Sequence, residues 1–361
     1  MKETLHKNIC FFNTTPFWGG GEKWHFEAAL MSTEKGLNTF FVANKNSVIG
    51  KKLAPTSIHP FFINTTRFSF LNPFKVSKLI TFFKANEIET VIFNSPNDLK
   101  LGGMAAYFAK IPTIVYRRGI AVKIKNSFLN KWLFTKVITH FIFNSEATKR
   151  LVAENFDAIL KTKKTAVIYN AIGFPKENIN SETTPNSILT IGNAGRLVEQ
   201  KGQYFLLDIA QFLKNKNVAF KILIAGEGPL FGELQEKIQK NGLAEQIKLL
   251  GFVSDMPSFI QQIDVFVSTS KWEGFGFVLA EAMTFKKPIL AFDVSSNPEL
   301  IVNEKTGFLI PAFNTEVFAE KLIVLNNNRE KLKQMGNEGF LFAKENFAKE
   351  KQFEKLLEFI L

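Results

Sequence analysis

Short apolar runs alternate with segments of helical amphipathic period from one end of the chain to the other. In the first half the strand-like runs are residues 9–12, 39–43, 90–93, 113–116, 141–143 and 166–168. Between them, residues 22–34, 73–85 and 146–155 carry the helical pattern, with Ser145 placed to cap the last. The second half repeats the design, with strand-like runs at 188–191, 220–225, 247–250, 265–268, 288–292 and 308–310. Its helical stretches are 204–213, 231–240, 278–285, 317–325 and 330–345. Strands that are apolar at nearly every position are buried on both faces, as in parallel sheets covered by helices on either side. The pattern therefore predicts an α/β chain of two Rossmann-like, doubly wound parallel-sheet domains. A polar stretch with two prolines, GFPKENINSETTPNS at 173–187, reads as the break between them. The expected boundaries are 1–170, a linker at 171–187, 188–345, and a last helix at 346–361. In open sheets of this kind ligands bind beyond the carboxyl ends of the strands, so two facing domains would hold theirs in the cleft between them.

Composition narrows the function classes. The chain has 361 residues, 46% apolar and 22% charged, with 40 Phe and no long polar tract, which excludes disorder. No apolar run reaches the ~18 residues of a spanning helix, and residues 9–12 are too short for a secretory leader. The single Cys10 excludes a disulfide framework, and the scattered His6, His25, His59 and His140 offer no metal-ligand spacing. No metal is expected, and the compartment is cytoplasmic by default.

Charge is unevenly placed. Residues 1–180 hold 25 Lys and Arg against 11 Asp and Glu, a net of +14, whereas 181–361 hold 20 against 22. From Lys100 to Lys136 there are eight basic residues and no acid. Such asymmetry points to an anionic partner, or else to a solvated lysine-rich face.

Candidate chemistry sits on loops where a strand ends and a helix begins. Phe17-Trp18-Gly19-Gly20-Gly21-Glu22 follows the first strand; its glycines allow close approach of an anion to a helix N-terminus. Gly195-Arg196-Leu197-Val198-Glu199-Gln200-Lys201-Gly202 sets a planar guanidinium and a point cation on one loop, where both can serve a diphosphate. Ala225-Gly226-Glu227-Gly228-Pro229 is a glycine turn, and Leu250-Gly251-Phe252-Val253-Ser254-Asp255 can offer backbone to a flat base. Taken singly, each of these is also a plain structural turn. Glu273-Gly274-Phe275-Gly276-Phe277 leads into a helix that carries Glu281 about two turns on, so two carboxylates flank a run of backbone N–H groups.

Together these residues resemble the family 4 retaining glycosyltransferases (glycosyl transferases group 1), which have the GT-B fold. The matching pieces are GGGE at 19–22, GRLVEQKG at 195–202, AGEGP at 225–229, LGFVSD at 250–255 and the pair Glu273/Glu281, in the family's order. The resemblance implies that Arg196 and Lys201 hold a donor diphosphate, that Glu281 binds the ribose and that Glu273 binds sugar hydroxyls. It places Phe275, Gly276 and Phe277 against sugar and phosphate, Val253 by the base and Glu227 and Gly228 nearby, with Gly20 and Gly21 closing from the other domain. It implies a UDP-sugar in preference to a GDP-sugar, no cofactor, and a lipopolysaccharide, capsule or lipid-linked acceptor. It also implies a last helix that crosses back to the first domain. Where many members have a histidine near the donor sugar, this chain reads Val115-Tyr116-Arg117-Arg118-Gly119; Arg118, before Arg117, is the expected replacement.

Residues 127–136 (SFLNKWLFTK) place Phe128, Leu129, Trp132 and Leu133 on one helical face, which fits either a membrane interface or core packing. Two other classes compete with transfer: a GT-B sugar-nucleotide epimerase, and a non-catalytic basic module for membrane or RNA. No nucleic-acid motif is present, so nucleic acid is not an expected partner. The resulting expectation is a cytoplasmic glycosyltransferase, peripheral on the inner face of the membrane.

Overall fold

The computed structural model describes residues 7–175 and 188–361. The chain forms two compact units, Met1–Ala171 with Glu350–Leu361, and Ile172–Lys349. Most of the stretch expected as a linker, 176–187, lies outside the described residues.

The first unit holds a seven-stranded sheet: β1 Asn8–Asn13, β2 Asn38–Ala43, β3 His59–Phe62, β4 Thr90–Phe93, β5 Thr113–Arg118, β6 His140–Phe143 and β7 Lys164–Val167. The spatial order is β3-β2-β1-β4-β5-β6-β7, with parallel pairing throughout. Alternate residues go to opposite faces. Cys10, Phe12, Phe93 and Tyr116 pack with Leu79 and Phe83 of helix Pro73–Ala85. Ile9, Phe11, Ile92 and Val115 pack with Trp24 and Ala28 of helix Gly20–Glu34, and with Phe353, Leu356 and Ile360 of the last helix, Lys349–Ile360. That helix is tied to the sheet by Lys7, whose Nζ donates to the Leu361 carbonyl at 2.8 Å, and by the edge-on contact of Phe359 with His140.

The second unit holds β8 Leu189–Ala194, β9 Phe220–Ala225, β10 Ile247–Gly251, β11 Val265–Ser268, β12 Ile289–Phe292 and β13 Gly307–Ile310 in the order β10-β9-β8-β11-β12-β13, again all parallel. Helices Phe205–Asn215 and Thr315–Asn327 pack side by side over the sheet and bury Leu206, Ile209 and Leu213 on the first and Phe318 and Leu322 on the second. The predicted fold class, two doubly wound parallel-sheet domains, is the observed one.

Two local readings need correction. Strand β3 has no counterpart in the periodicity because it is an edge strand, mostly exposed and containing Pro60, so it shows neither a buried run nor alternation. Residues 127–136 do not form a continuous surface helix. Helix Phe128–Trp132 opens into a wider turn, Leu133–Val137, which buries Leu133 and Phe134, and Leu129 and Trp132 lean on the same core. Core packing claims that face; only Phe128 stands out, 87% exposed.

Candidate functional site

Each sheet reverses its strand order once, between β1 and β4 in the first unit and between β8 and β11 in the second. At such a reversal the connecting loops diverge to opposite sides and leave a crevice at the carboxyl ends of the strands. Most of the predicted site residues lie at or next to these two places.

In the second unit, the loop after β8 carries Arg196 and Lys201, and the loop after β11 carries Ser270 and Glu273. Lys201 Nζ lies 2.5 Å from Glu273 Oε1, and the same oxygen accepts from Ser270 Oγ at 2.7 Å. Ser268 Oγ donates to Ser270 Oγ at 3.2 Å, and Ser296 Oγ donates to the Glu273 carbonyl at 3.3 Å. The backbone joins the loops as well: Lys271 N donates to the Gln200 carbonyl at 2.8 Å and Gln200 Nε2 to the Trp272 carbonyl at 3.0 Å. The side chains of Lys201 and Glu273 are 18% and 9% exposed, so the pair is largely buried. Arg196 is exposed on the same loop, its carbonyl held by Gln203 Nε2 at 3.1 Å. The structure thus draws Lys201 inward and leaves Arg196 open.

The glycine turns are a backbone requirement. Gly195 N donates to the Ala225 carbonyl at 2.9 Å and Gly226 N to the Gly251 carbonyl at 2.7 Å, lacing the ends of β8, β9 and β10. A Cβ on Gly226 would lie 1.9 Å from the Gly195 carbonyl oxygen, and Gly226 has φ +145°. Leu197 N donates to the Glu227 carbonyl at 2.8 Å, and a Cβ on Gly228 would lie 2.3 Å from Leu197 O. The Glu227 side chain is exposed and Val253 is half-buried, beyond β9 and β10 respectively. Gly276, with φ +79°, caps helix Phe277–Thr284, so that helix starts four residues after Glu273. Phe275 is buried edge-on against Phe347, 5.3 Å between ring centres, and Glu281 is half-buried on the helix.

The first unit has a second polar cluster. Gly19 caps helix Gly20–Glu34 without a side-chain bond, leaving the backbone of Gly20 and Gly21 in the first turn. A Cβ on Gly21 would lie 2.7 Å from Asn94 Nδ2, at the end of β4. Asn94 Oδ1 accepts from Arg117 Nη1 at 2.9 Å, while Arg117 Nη2 donates to Asn170 Oδ1 and the guanidinium lies 4.1 Å over the Trp24 ring. Burial lowers the Arg117 pKa to about 9, partly offset by Glu22. Arg117 is therefore the arginine that reaches toward the glycine turn. Arg118, on the opposite face of β5, donates to the Val122 carbonyl at 2.7 Å. Nearby, buried Asp98 accepts from Thr14 N at 3.2 Å, from Thr14 Oγ1 and from Ser95 Oγ at 2.7 Å, and its burial raises the carboxyl to about 6. His25 is enclosed by Phe11, Trp24 and Phe41, and burial, then Arg117, holds its pKa well below the usual value.

Sequence reasoning missed Ser270, Asn94, Asn170 and Trp24. Ser270 had a local signal, Ser268-Thr269-Ser270 three residues ahead of Glu273; the others come together only through the fold. No group of three or more His, Cys, Asp or Glu that could hold a metal occurs among the described residues. No helix among them is long and apolar enough to cross a membrane.

Comparison with known proteins supplies context. The family model of the glycosyl transferases group 1 matches residues 175–342. An uncharacterised glycosyltransferase of Methanocaldococcus jannaschii is 30% identical over 250 residues, 68% of this chain and 67% of that protein. The UDP-Gal:α-D-GlcNAc-diphosphoundecaprenol α-1,3-galactosyltransferase of Escherichia coli is 27% identical over 301 residues, 76% of each chain. The crystal structure of Anabaena HepE in complex with UDP and glucose superposes with a TM-score of 0.80 at 22% identity, covering 98% of this chain and 99% of that one. Against several other curated relatives the chain spans about a third to a half of their length.

Proposed function

Since the chain belongs to the glycosyl transferases group 1 family, we propose that it is a retaining, metal-independent hexosyltransferase that takes its sugar from a nucleotide-diphosphate donor, UDP-linked in preference to GDP-linked. The observation that carries this reading is the Lys201–Glu273–Ser270 network at the strand-order reversal of the second unit, beside the helix start at Gly276. Lys201 and Arg196 neutralise the diphosphate as it leaves, and the N–H groups from Phe275 to Phe277 add fixed dipoles where that charge develops. Glu273 orients sugar hydroxyls, Glu281 the ribose, and the turns holding Glu227, Gly228 and Val253 line the nucleoside. The reaction is front-face displacement: the acceptor oxygen bonds to the anomeric carbon as the bond to the diphosphate breaks. The acceptor proton passes to the departing phosphate oxygen, so no separate protein base is required. UDP and glucose in the Anabaena structure support the donor assignment.

The first unit is proposed to take the acceptor, a lipopolysaccharide, capsule or lipid-linked glycan; the diphosphoundecaprenol named for the Escherichia coli relative supports a lipid-linked one. Its net positive charge suits docking on an anionic membrane at the cytoplasmic face. Calorimetric titration with UDP, GDP and ADP, followed by NMR assignment of the anomeric configuration of the product, tests the reading. Preferential UDP binding and an α-linked product from an α-linked donor are expected. Absence of nucleotide binding, or an inverted product, refutes it.

A further inference from the structure

We infer that the enzyme enters the membrane surface through the turn at residues 67–78, ahead of and within the first turns of helix Pro73–Ala85, and not through the Trp132 segment. This rests on the proposed membrane docking and says where it occurs. Three large apolar side chains are exposed there at intervals of three residues, Phe68 just before and Leu71 within the tight turn Ser69–Leu71 and Phe74 in the first turn of the helix: Phe68 is 64% exposed, Leu71 68% and Phe74 84%. Asn72 caps the helix through Oδ1, accepting from Phe74 N at 3.0 Å and Lys75 N at 3.2 Å, so Phe74 is held outward in the first turn by ordered backbone. Lys75 Nζ ties the turn down by donating to the Asn64 carbonyl at 2.6 Å and to Ser69 Oγ at 3.3 Å. The apolar side chains are therefore presented by a rigid element, without the usual burial of such residues.

Their surroundings select the partner. Arg67 lies 5.6 Å over Phe68, Lys78 is exposed one turn beyond Phe74, and Lys100 lies 5.9 Å from the Phe70 ring. From Lys35 to Asn86 the chain has eight basic residues and no acid. Apolar side chains at the tip with cations around them suit an anionic bilayer, in which rings enter the headgroup boundary and lysines meet lipid phosphates. A second copy of the chain would bring like charges together over the same patch, so self-association is disfavoured.

Sedimentation of the full chain with phosphatidylcholine vesicles, with and without phosphatidylglycerol, tests this. Wild type should bind the mixed vesicles, less at high salt. Phe68→Ser/Leu71→Ser/Phe74→Ser should weaken that binding at least tenfold at low salt, as expected for apolar side chains left in water. Arg67→Gln/Lys78→Gln should weaken it about fivefold per charge and reduce, without abolishing, the salt dependence. Unchanged melting temperature and UDP affinity verify the fold, and the single variant Phe74→Ser serves if the triple is unstable. Wild type that binds no vesicle overturns the membrane reading and this placement with it. Wild type that binds while the serine variants bind equally well overturns the placement alone. A patch that instead mediates dimers, with monomers in the triple variant and equal vesicle binding, also overturns it.

Discussion

Replacing Lys201 by methionine separates what the Lys201–Glu273 pair does for the fold from what it does for the donor. Methionine keeps most of the stem that packs beside Gly195 but removes the cation. The Glu273 oxygen that had accepted from both Lys201 and Ser270 then keeps the Ser270 hydroxyl, 2.7 Å away. Breaking a fully buried pair costs about 3–5 kcal/mol, because one charge is left uncompensated. Lys201 is 18% exposed, so water screens part of the loss and about 2 kcal/mol is the better figure. In a unit of this size that lowers Tm by roughly 4–8 °C. The effect on the donor is separate. Losing one charge-assisted contact to a diphosphate should weaken UDP by about 1.5–3 kcal/mol, or roughly 10–200-fold. Glu273→Gln retains a hydrogen-bonding side chain and frees Lys201 from its competing carboxylate, so UDP affinity should hold or rise while transfer falls. Calorimetric melting and UDP titration of the two single variants and the double variant give the coupling energy directly. A folded Lys201→Met protein that binds UDP as wild type does would refute the assignment of Lys201 to the diphosphate. Equal loss of UDP binding in both variants would show that the pair acts only as structure.

Other perturbations reach different parts of the molecule. Gly226→Ala drives a Cβ to 1.9 Å from the Gly195 carbonyl at φ +145°, so the second unit should lose several degrees of Tm together with UDP binding; a wild-type melt refutes the lacing of the turns. Arg117→Met strips a buried cation from Trp24, Asn94 and Asn170 and should lower both Tm and turnover, whereas Arg118→Met, which loses a bond to Val122, should act more weakly; urea melts and initial rates check the order. Burial raises Asp98 to about 6, so the fold binds this proton more tightly than the unfolded chain. Stability from Asp98 is greatest below about pH 4 and falls by about 3 kcal/mol as pH rises through 6, a slope that Asp98→Asn should remove in urea melts. His25 acts in the opposite sense: its pKa is lowered, so its contribution is present above about pH 6.5 and lost as pH falls, and His25→Phe should raise Tm selectively in acid.

The candidate residues of the second unit were legible because they are local in sequence. Arg196 and Lys201 share one loop, Glu273 and Gly276 share another, and the glycines stand in turns whose geometry demands them. The pairing of Lys201 with Glu273 across 72 residues could not be read from spacing, but it follows once β8 and β11 are neighbours, since each loop leaves the carboxyl end of its strand. The first unit hid its cluster for the converse reason. Gly21 at the start of a helix, Arg117 within β5, and Asn94 and Asn170 just beyond β4 and β7 look unremarkable in sequence; the meeting of Gly21, Asn94 and Arg117 depends on β4 lying between β1 and β5.

The same reasoning accounts for the apolar surface. Helical periodicity reports that one face of a segment is apolar, not whether that face meets the core or the outside. At 127–136 the periodic face went inward, where Trp132 meets Tyr107 with ring centres 5.7 Å apart. At 67–78 the buried side of helix Pro73–Ala85 is supplied by Leu79 and Phe83, so Phe68, Leu71 and Phe74 are surplus to the core. A core that is already filled has no use for three more large apolar side chains, and leaving them in water carries a continuing hydration cost. On the proposed membrane docking that cost is offset when they enter a bilayer, and the acid-free stretch from Lys35 to Asn86 suits a negatively charged one.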